Sequence, residues 1–173
     1  MDFALVDKGI WLGLAGIGFA VLFNVPRRTL GAIYIMSAFG GMLKFYMMSL
    51  DFGLVFAAFC GSSLIGFLSV LAAHYRKAPP MTFALPSLIP MIPGFFAYKA
   101  MVGVMKLTAE KDAEVYRKLF FETVNNGLSA LFIILALSAG VAIPLLISRK
   151  ETVKRIKTDV PNPQNENLEE ENL

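Results

Sequence analysis

The sequence predicts an all-α integral membrane protein with five transmembrane helices, the fourth of them broken by prolines. Three observations carry this reading. The 173 residues are 56% apolar and only 17% charged, against about 45–50% and about 25% in soluble domains. Mean hydropathy is +0.61. The charges gather between five apolar stretches, each within the roughly 17–25 residues that cross a bilayer. Such a composition is the reverse of a disordered chain's. A single cysteine, Cys60, excludes an internal disulfide, and with only one histidine in the sequence a zinc site is improbable. Lipid offers the backbone no hydrogen bonds, so the stretches are expected as helices. They lack the alternating pattern of a membrane β-barrel.

The first stretch covers residues 9–25. Asp2, Asp7 and Lys8 precede it rather than a basic cluster, and no small-residue cleavage site follows, so a short true helix is expected in place of a signal peptide. The second, 30–50, contains Lys44 one turn after Gly40 and Gly41, whose missing side chains leave room for a ligand or another helix. The third, 52–73, carries a small-residue stripe at Ala58, Ser62 and Gly66. Gly9 and Gly13 repeat that spacing on the first, and such stripes suit packing seams within one chain. Cys60 reads as a packing residue. The fourth runs over 81–105 and the fifth over 124–148, with Asn125 and Asn126 at its start. Two regions follow: a transmembrane domain, 1–148, and a largely disordered cytoplasmic tail, 149–173, basic at first and ending in Glu169-Glu170-Glu171.

The positive-inside rule sets the orientation. Arg27 and Arg28, then His74, Arg76 and Lys77, then Arg149, Lys150, Lys154, Arg155 and Lys157 share one side. The opposite side holds Lys8, Lys106, Lys111, Arg117 and Lys118, mixed with Glu110, Asp112, Glu114 and Glu122 in the 106–122 loop. The N-terminus is therefore expected outside and the C-terminus in the cytoplasm, in the cell inner membrane. The net charge of +3 belongs to this membrane distribution rather than to nucleic-acid binding.

Function is sought in the polar and helix-breaking residues within the spans. Pro86, Pro90 and Pro93, with Gly94 following at once, fall in one segment. Each proline removes a helical donor and clashes with the preceding turn. The break is expected near residue 93, the centre of 81–105, and thus near the midplane, where discontinuous helices form transport sites. A half-helix starting there directs N–H groups and a positive dipole end at a carboxylate; the alternative is a kink satisfied by neighbouring helices. Lys44 and Lys99 each lie roughly 10 Å below the outer boundary. They either line a polar cavity that attracts an anion or snorkel to the interface. Asn126 either caps its helix or hydrogen-bonds a substrate. No Asp or Glu lies within the spans, so proton-coupling carboxylates would come from another chain. His74 reads as an interface residue. No nucleophile–base pair or metal cluster is visible, which argues against an enzyme and against a cofactor.

The runs Gly18-Phe-Ala-Val-Leu-Phe-Asn-Val-Pro26 and Ile89-Pro-Met-Ile-Pro-Gly-Phe-Phe-Ala-Tyr-Lys-Ala-Met101 resemble the C-terminal half of the threonine/serine exporter family. More closely, they resemble its stand-alone small subunit, the YjjB-type protein of split exporters. The resemblance covers nearly all of residues 1–148. It implies export of a small hydrophilic metabolite, threonine or serine in the family at large and succinate in the split form, together with a second membrane subunit matching the family's N-terminal half. Asn24 and Pro26 match the first motif, and Pro90, Pro93, Gly94 and Tyr98 the second. The resemblance also implies a basic residue at Lys44 and an asparagine at Asn126, whereas Lys99 stands where the stand-alone subunit can carry a neutral residue. The expected site is thus Lys44, Pro90, Pro93, Gly94, Tyr98, Lys99 and Asn126, in a secondary transporter of carboxylate-bearing metabolites. The alternatives are a passive channel or uptake component, and a structural or assembly subunit without ligand contacts.

Overall fold

A computed structural model describes residues 3–76 and 78–159. The elements follow as α1 (Phe3–Leu22), a 3₁₀ turn (Arg27–Thr29), α2 (Leu30–Ser49), α3 (Leu54–Arg76), α4 (Pro80–Leu88), a second 3₁₀ turn (Ile89–Met91), α5 (Gly94–Ala109) and α6 (Ala113–Asp159). No strand occurs among the described residues. Helices α1, α2, α3 and α6 are each long and apolar enough to cross a membrane, and the pair Pro80–Met91 and Gly94–Ala109, bent by 54°, passes the same test together as a broken span or a re-entrant loop. The expected all-α membrane architecture is present with four to five candidate spans, and the fourth apolar stretch is broken at its prolines.

The helix ends have local causes. At the end of α1, Asn24 takes a left-handed φ of 55°. Asn24 N–H donates to Val21 O and Val25 N–H to Ala20 O, both at 3.0 Å. This 5→2 and 6→1 pairing is a Schellman stop, in which asparagine substitutes for glycine. It ends α1 at Leu22, short of the expected residue 25. Asp51 (φ 58°) closes α2 in the same way, with Asp51 N–H on Met48 O and Phe52 N–H on Met47 O, both at 3.2 Å. Pro79 and Pro80 open α4, where a missing N–H removes nothing.

Helix α6 departs most from expectation. It begins at Ala113, inside the expected 106–122 loop, and places Asn125 and Asn126 within the helix rather than at its start. Asp112 is the reason. Its Oδ1 accepts the N–H of Glu114 (2.9 Å) and Val115 (3.4 Å), an N-cap with Glu114 in the first turn. At the other end α6 continues to Asp159, so the segment expected as disordered tail begins as helix. No proline or glycine falls in 149–159, so nothing there forces the helix to stop before Pro161. Lys77 and the acidic end of the tail lie outside the described residues.

Packing divides the molecule. Helix α4 packs against α1, α2 and α3, while α6 crosses α3 along its apolar half. The core comprises Ile33, Ile65, Phe83, Met91, Ile133 and Leu137. Two close crossings depend on glycine. A Cβ on Gly61 would meet the Gly40 carbonyl oxygen and Met91 Cε, both at 2.7 Å. A Cβ on Gly66 would meet the Val141 backbone at 3.1 Å. Gly9 and Gly13 face Met42 and Tyr34 of α2. The small-residue stripes are therefore seams within the chain. Buried serines tie helices together: Ser62 Oγ donates to Phe59 O and Ala136 O, and Ser87 Oγ to Phe83 O and Ile33 O. Helix α5 packs chiefly on α6, and only Gly103 along it is buried. Large apolar side chains such as Trp11, Phe67, Leu135 and Ile147 cover the outside, a surface suited to lipid rather than water.

Candidate functional site

The break in the fourth span follows from its prolines. Pro86 sits inside α4, and Pro90 and Pro93 lack the N–H groups that would continue the helical ladder. Ile92 swings to an extended conformation (φ −61°, ψ 136°) after its N–H closes the turn on Ile89 O at 3.1 Å. Pro93 (φ −80°, ψ 58°) then forms an inverse γ-turn, in which Gly94 N–H donates to Ile92 O at 2.9 Å. Phe96 and Ala97 N–H bond Pro93 O and begin α5, whose N-terminus has no side-chain cap. The level of the break is fixed by packing. Met91 Cε lies over Gly61, and the neighbouring Ser62 bonds Ala136 O, halfway along the apolar 124–148 stretch of α6.

In a continuous helix Met91 O would accept a backbone N–H one turn on. Here it accepts Lys44 Nζ at 3.1 Å. Lys44 is half-buried and does not reach for the interface. Its ammonium caps the negative end of the α4 half-helix, an arrangement favoured by the helix dipole. An ammonium carries three donors, and among the described residues Met91 O is the one acceptor for Lys44. No carboxylate pairs with it there. The space expected beside Gly40 and Gly41 is taken by helices: Ile65 of α3 packs on Gly40 and Leu12 of α1 on Gly41.

The other expected site residues distribute as follows. Pro93 is buried, Pro90 half-buried and Gly94 exposed, with open space where a Gly94 Cβ would stand. Tyr98 is 67% exposed. Lys99 is exposed and lies over the Phe95 ring of its own helix, 4.8 Å from the centroid. Asn126 is half-buried, with Nδ2 donating to Glu122 O at 2.9 Å. Lys44 and Met91 thus meet, with the Pro93–Gly94 turn two residues further along the chain, while Tyr98 and Lys99 stand on the open surface of α5 and Asn126 on α6. Sequence reasoning missed the Lys44–Met91 bond, because partners 47 positions apart leave no local signal. The Asp112 cap was readable from Asp112-Ala113-Glu114 ahead of an apolar run. Among the described residues no group of His, Cys, Asp or Glu could hold a metal ion.

A helical bundle with four to five candidate spans and a bent helix pair beside a half-buried lysine defines the class of polytopic membrane proteins. Comparison with known proteins makes the assignment particular. A family profile described as "Threonine/Serine exporter, ThrE" matches residues 8–147, and the chain belongs to that family. It is a multi-pass membrane protein of a transporter family, as the resemblance implied. An uncharacterized protein of Haemophilus influenzae is 32% identical over 145 residues, covering 83% of this chain and 48% of the relative. The chain therefore spans about half the length of that relative. No solved structure matches.

Proposed function

We propose that the chain is the smaller membrane unit of a secondary exporter for small carboxylate-bearing metabolites, either threonine- or serine-like amino acids or a dicarboxylate such as succinate. One observation carries the reading. A half-buried lysine inside a span keeps two of its three donors without an acceptor among the described residues, beside the mouth of a broken helix. A cation in that setting is costly unless something negative reaches it. A substrate carboxylate bridging Lys44 and the α5 N-terminus at Gly94 supplies that charge. Pro90 and Pro93 hold the break open. Tyr98 and Asn126 offer hydrogen bonds, and Lys99 adds positive potential.

The five apolar stretches 9–25, 30–50, 52–73, 81–105 and 124–148 hold no acidic residue, so proton-coupling groups come from a second membrane unit that completes the site. The relative's additional length supports such a unit. Basic residues at Arg27, Arg28, Arg76 and Arg149 support a cytoplasmic location for that end of the bundle, with the N-terminus outside and the protein in the inner membrane. Transport then proceeds by alternating access across the break. The test is efflux of preloaded threonine, serine and succinate from cells expressing this chain with and without the second unit. Efflux that needs both and tracks one of these solutes supports the proposal. Equal efflux from cells lacking the chain refutes it.

A further inference from the structure

Helix α6 carries two apolar faces, and the fold uses one of them. On the inner face, Ser62 of α3 bonds Ala136 O, Gly66 of α3 lies against Val141, and Gly103 of α5 lies against Thr123. On the outer face stand Phe121, Val124, Leu128, Leu131 and Leu135, all exposed. Their spacing alternates three and four residues, the heptad seam of paired helices. At about 3.6 residues per turn the five side chains form one narrow stripe, turned away from the α3 contacts at Ala136 and Val141. The stripe also outruns the bilayer. Ser62 bonds Ala136 at the middle of the apolar stretch, so at ~1.5 Å per residue Val124 and Phe121 stand roughly 18 and 22 Å from that level. The hydrocarbon core ends at roughly 15 Å from its middle. Acyl chains can cover Leu128, Leu131 and Leu135, but they do not reach Phe121, which is 66% exposed.

Charge selects what covers it. Continued outward, the same repeat falls on Arg117 and Glu114, a cation and an anion one turn apart. Both are exposed, and among the described residues neither is held in an ion pair. Two copies inserted in the same orientation are related by a two-fold axis along the membrane normal, so equivalent residues meet at equal depth. Apolar side chains then meet apolar ones at all five levels of the stripe. Above them, two arginines and two glutamates gather into a neutral cluster, each Arg117 one turn from Glu114 of the other copy. The stripe and its charged head are thus complementary to themselves. We propose that two copies of this chain pair in parallel along the 121–135 stripe of α6. The seam is separate from the α4–α5 break and does not depend on the exporter reading.

The test places single cysteines in the full chain, with Cys60→Ala, and oxidises them in membranes with copper phenanthroline. Phe121→Cys, Leu128→Cys and Leu135→Cys should each give a disulfide-linked dimer. Val115→Cys and Glu122→Cys, exposed on the opposite flank of α6, should not. Leu128→Ala with Leu131→Ala changes exposed positions only and should weaken the dimer about tenfold, read by native mass spectrometry across a dilution series in mild detergent. Arg117→Glu gathers four anions at the head of the seam and should weaken it as well, and adding Glu114→Arg should restore it. A chain that stays monomeric and forms no crosslink along the stripe overturns the proposal. Crosslinks that form equally on the opposite flank overturn it too, as does pairing undiminished by both the leucine and the charge variants. Stripe cysteines that link to a different membrane chain in place of a second copy also overturn it.

Discussion

Lys44→Met isolates the ammonium, because methionine keeps an apolar stem and good helix propensity. The variant loses one hydrogen bond from a charged donor, Lys44 Nζ to Met91 O at 3.1 Å. Such a bond contributes about 1.5–3 kcal/mol. The variant also removes a cation from a membrane span, a relief of about 2.5–3.5 kcal/mol on insertion scales. The two terms nearly cancel, so membrane abundance and thermal stability should stay level or rise slightly. Transport should not stay level. If a substrate carboxylate takes a charge-assisted bond of about 1.5–3 kcal/mol from Lys44, losing it lowers efflux about ten- to a hundredfold. Lys44→Arg, which keeps the charge, should retain part of the activity. The assay is initial efflux of labelled threonine, serine and succinate, normalised to the protein present in the membrane. Unchanged efflux from Lys44→Met refutes the binding role. Disappearance of the protein from the membrane refutes the stability reasoning.

Four further outcomes are expected. Pro93→Ala restores a backbone donor at the break and should reduce the 54° bend and the efflux with it. A longer distance between spin labels at positions 81 and 105 checks the straightening. Gly61→Ala puts a methyl group against the Gly40 carbonyl and Met91 Cε, both at 2.7 Å, and overpacking of this kind costs about 1–3 kcal/mol. Thermal unfolding in detergent, followed by Trp11 fluorescence, measures it. Asn24→Val forces a β-branched residue into a left-handed φ of 55° and should destabilise by about 1–2 kcal/mol, whereas Asn24→Gly should be neutral. Asp112→Ala removes the α6 N-cap and should cost about 1 kcal/mol, seen as faster hydrogen exchange at the Glu114 and Val115 amides.

Sequence reached the spans and the break because both are written locally. Apolar runs bounded by Asp51, Arg76 and Lys106 set the helices, and three prolines within one run dictate where the fourth comes apart. The helix ends were less legible. Asn24 was read as part of a motif, whereas its structural role is a left-handed stop that any chain-terminating turn could use. Asp112 was obscured by the charges around it, which made 106–122 look like a loop although its cap starts a 47-residue helix. At ~1.5 Å per residue α6 is roughly 70 Å long, so it projects beyond the bilayer at both ends. The site's central contact lay beyond reach for a different reason. Lys44 and Met91 meet only because Gly61 lets α3 press close beneath both, and that depends on three helices packing together.

The broken span joins two bodies with different supports. Helix α4 is held by α1, α2 and α3, while α5 rests chiefly on α6 and buries little beyond Gly103. The Lys44–Met91 bond lies on the α4 side of the joint, and Gly94, with open space where a Cβ would stand, begins the α5 side. A ligand can bias two geometries of this joint only by its difference in affinity for them. Shifting a 1:99 population to 99:1 needs about 5.5 kcal/mol. A single charge-assisted bond of about 1.5–3 kcal/mol falls short, whereas two reach that range together. A carboxylate held by Lys44 alone would therefore bind without moving the joint. One that also takes the α5 N-terminus would move it. On this reasoning Gly94→Ala, which meets no atom within 4 Å and leaves the fold intact, should lower the efflux rate more than it lowers substrate affinity. A loss confined to affinity would mean that the joint does not take part in transport.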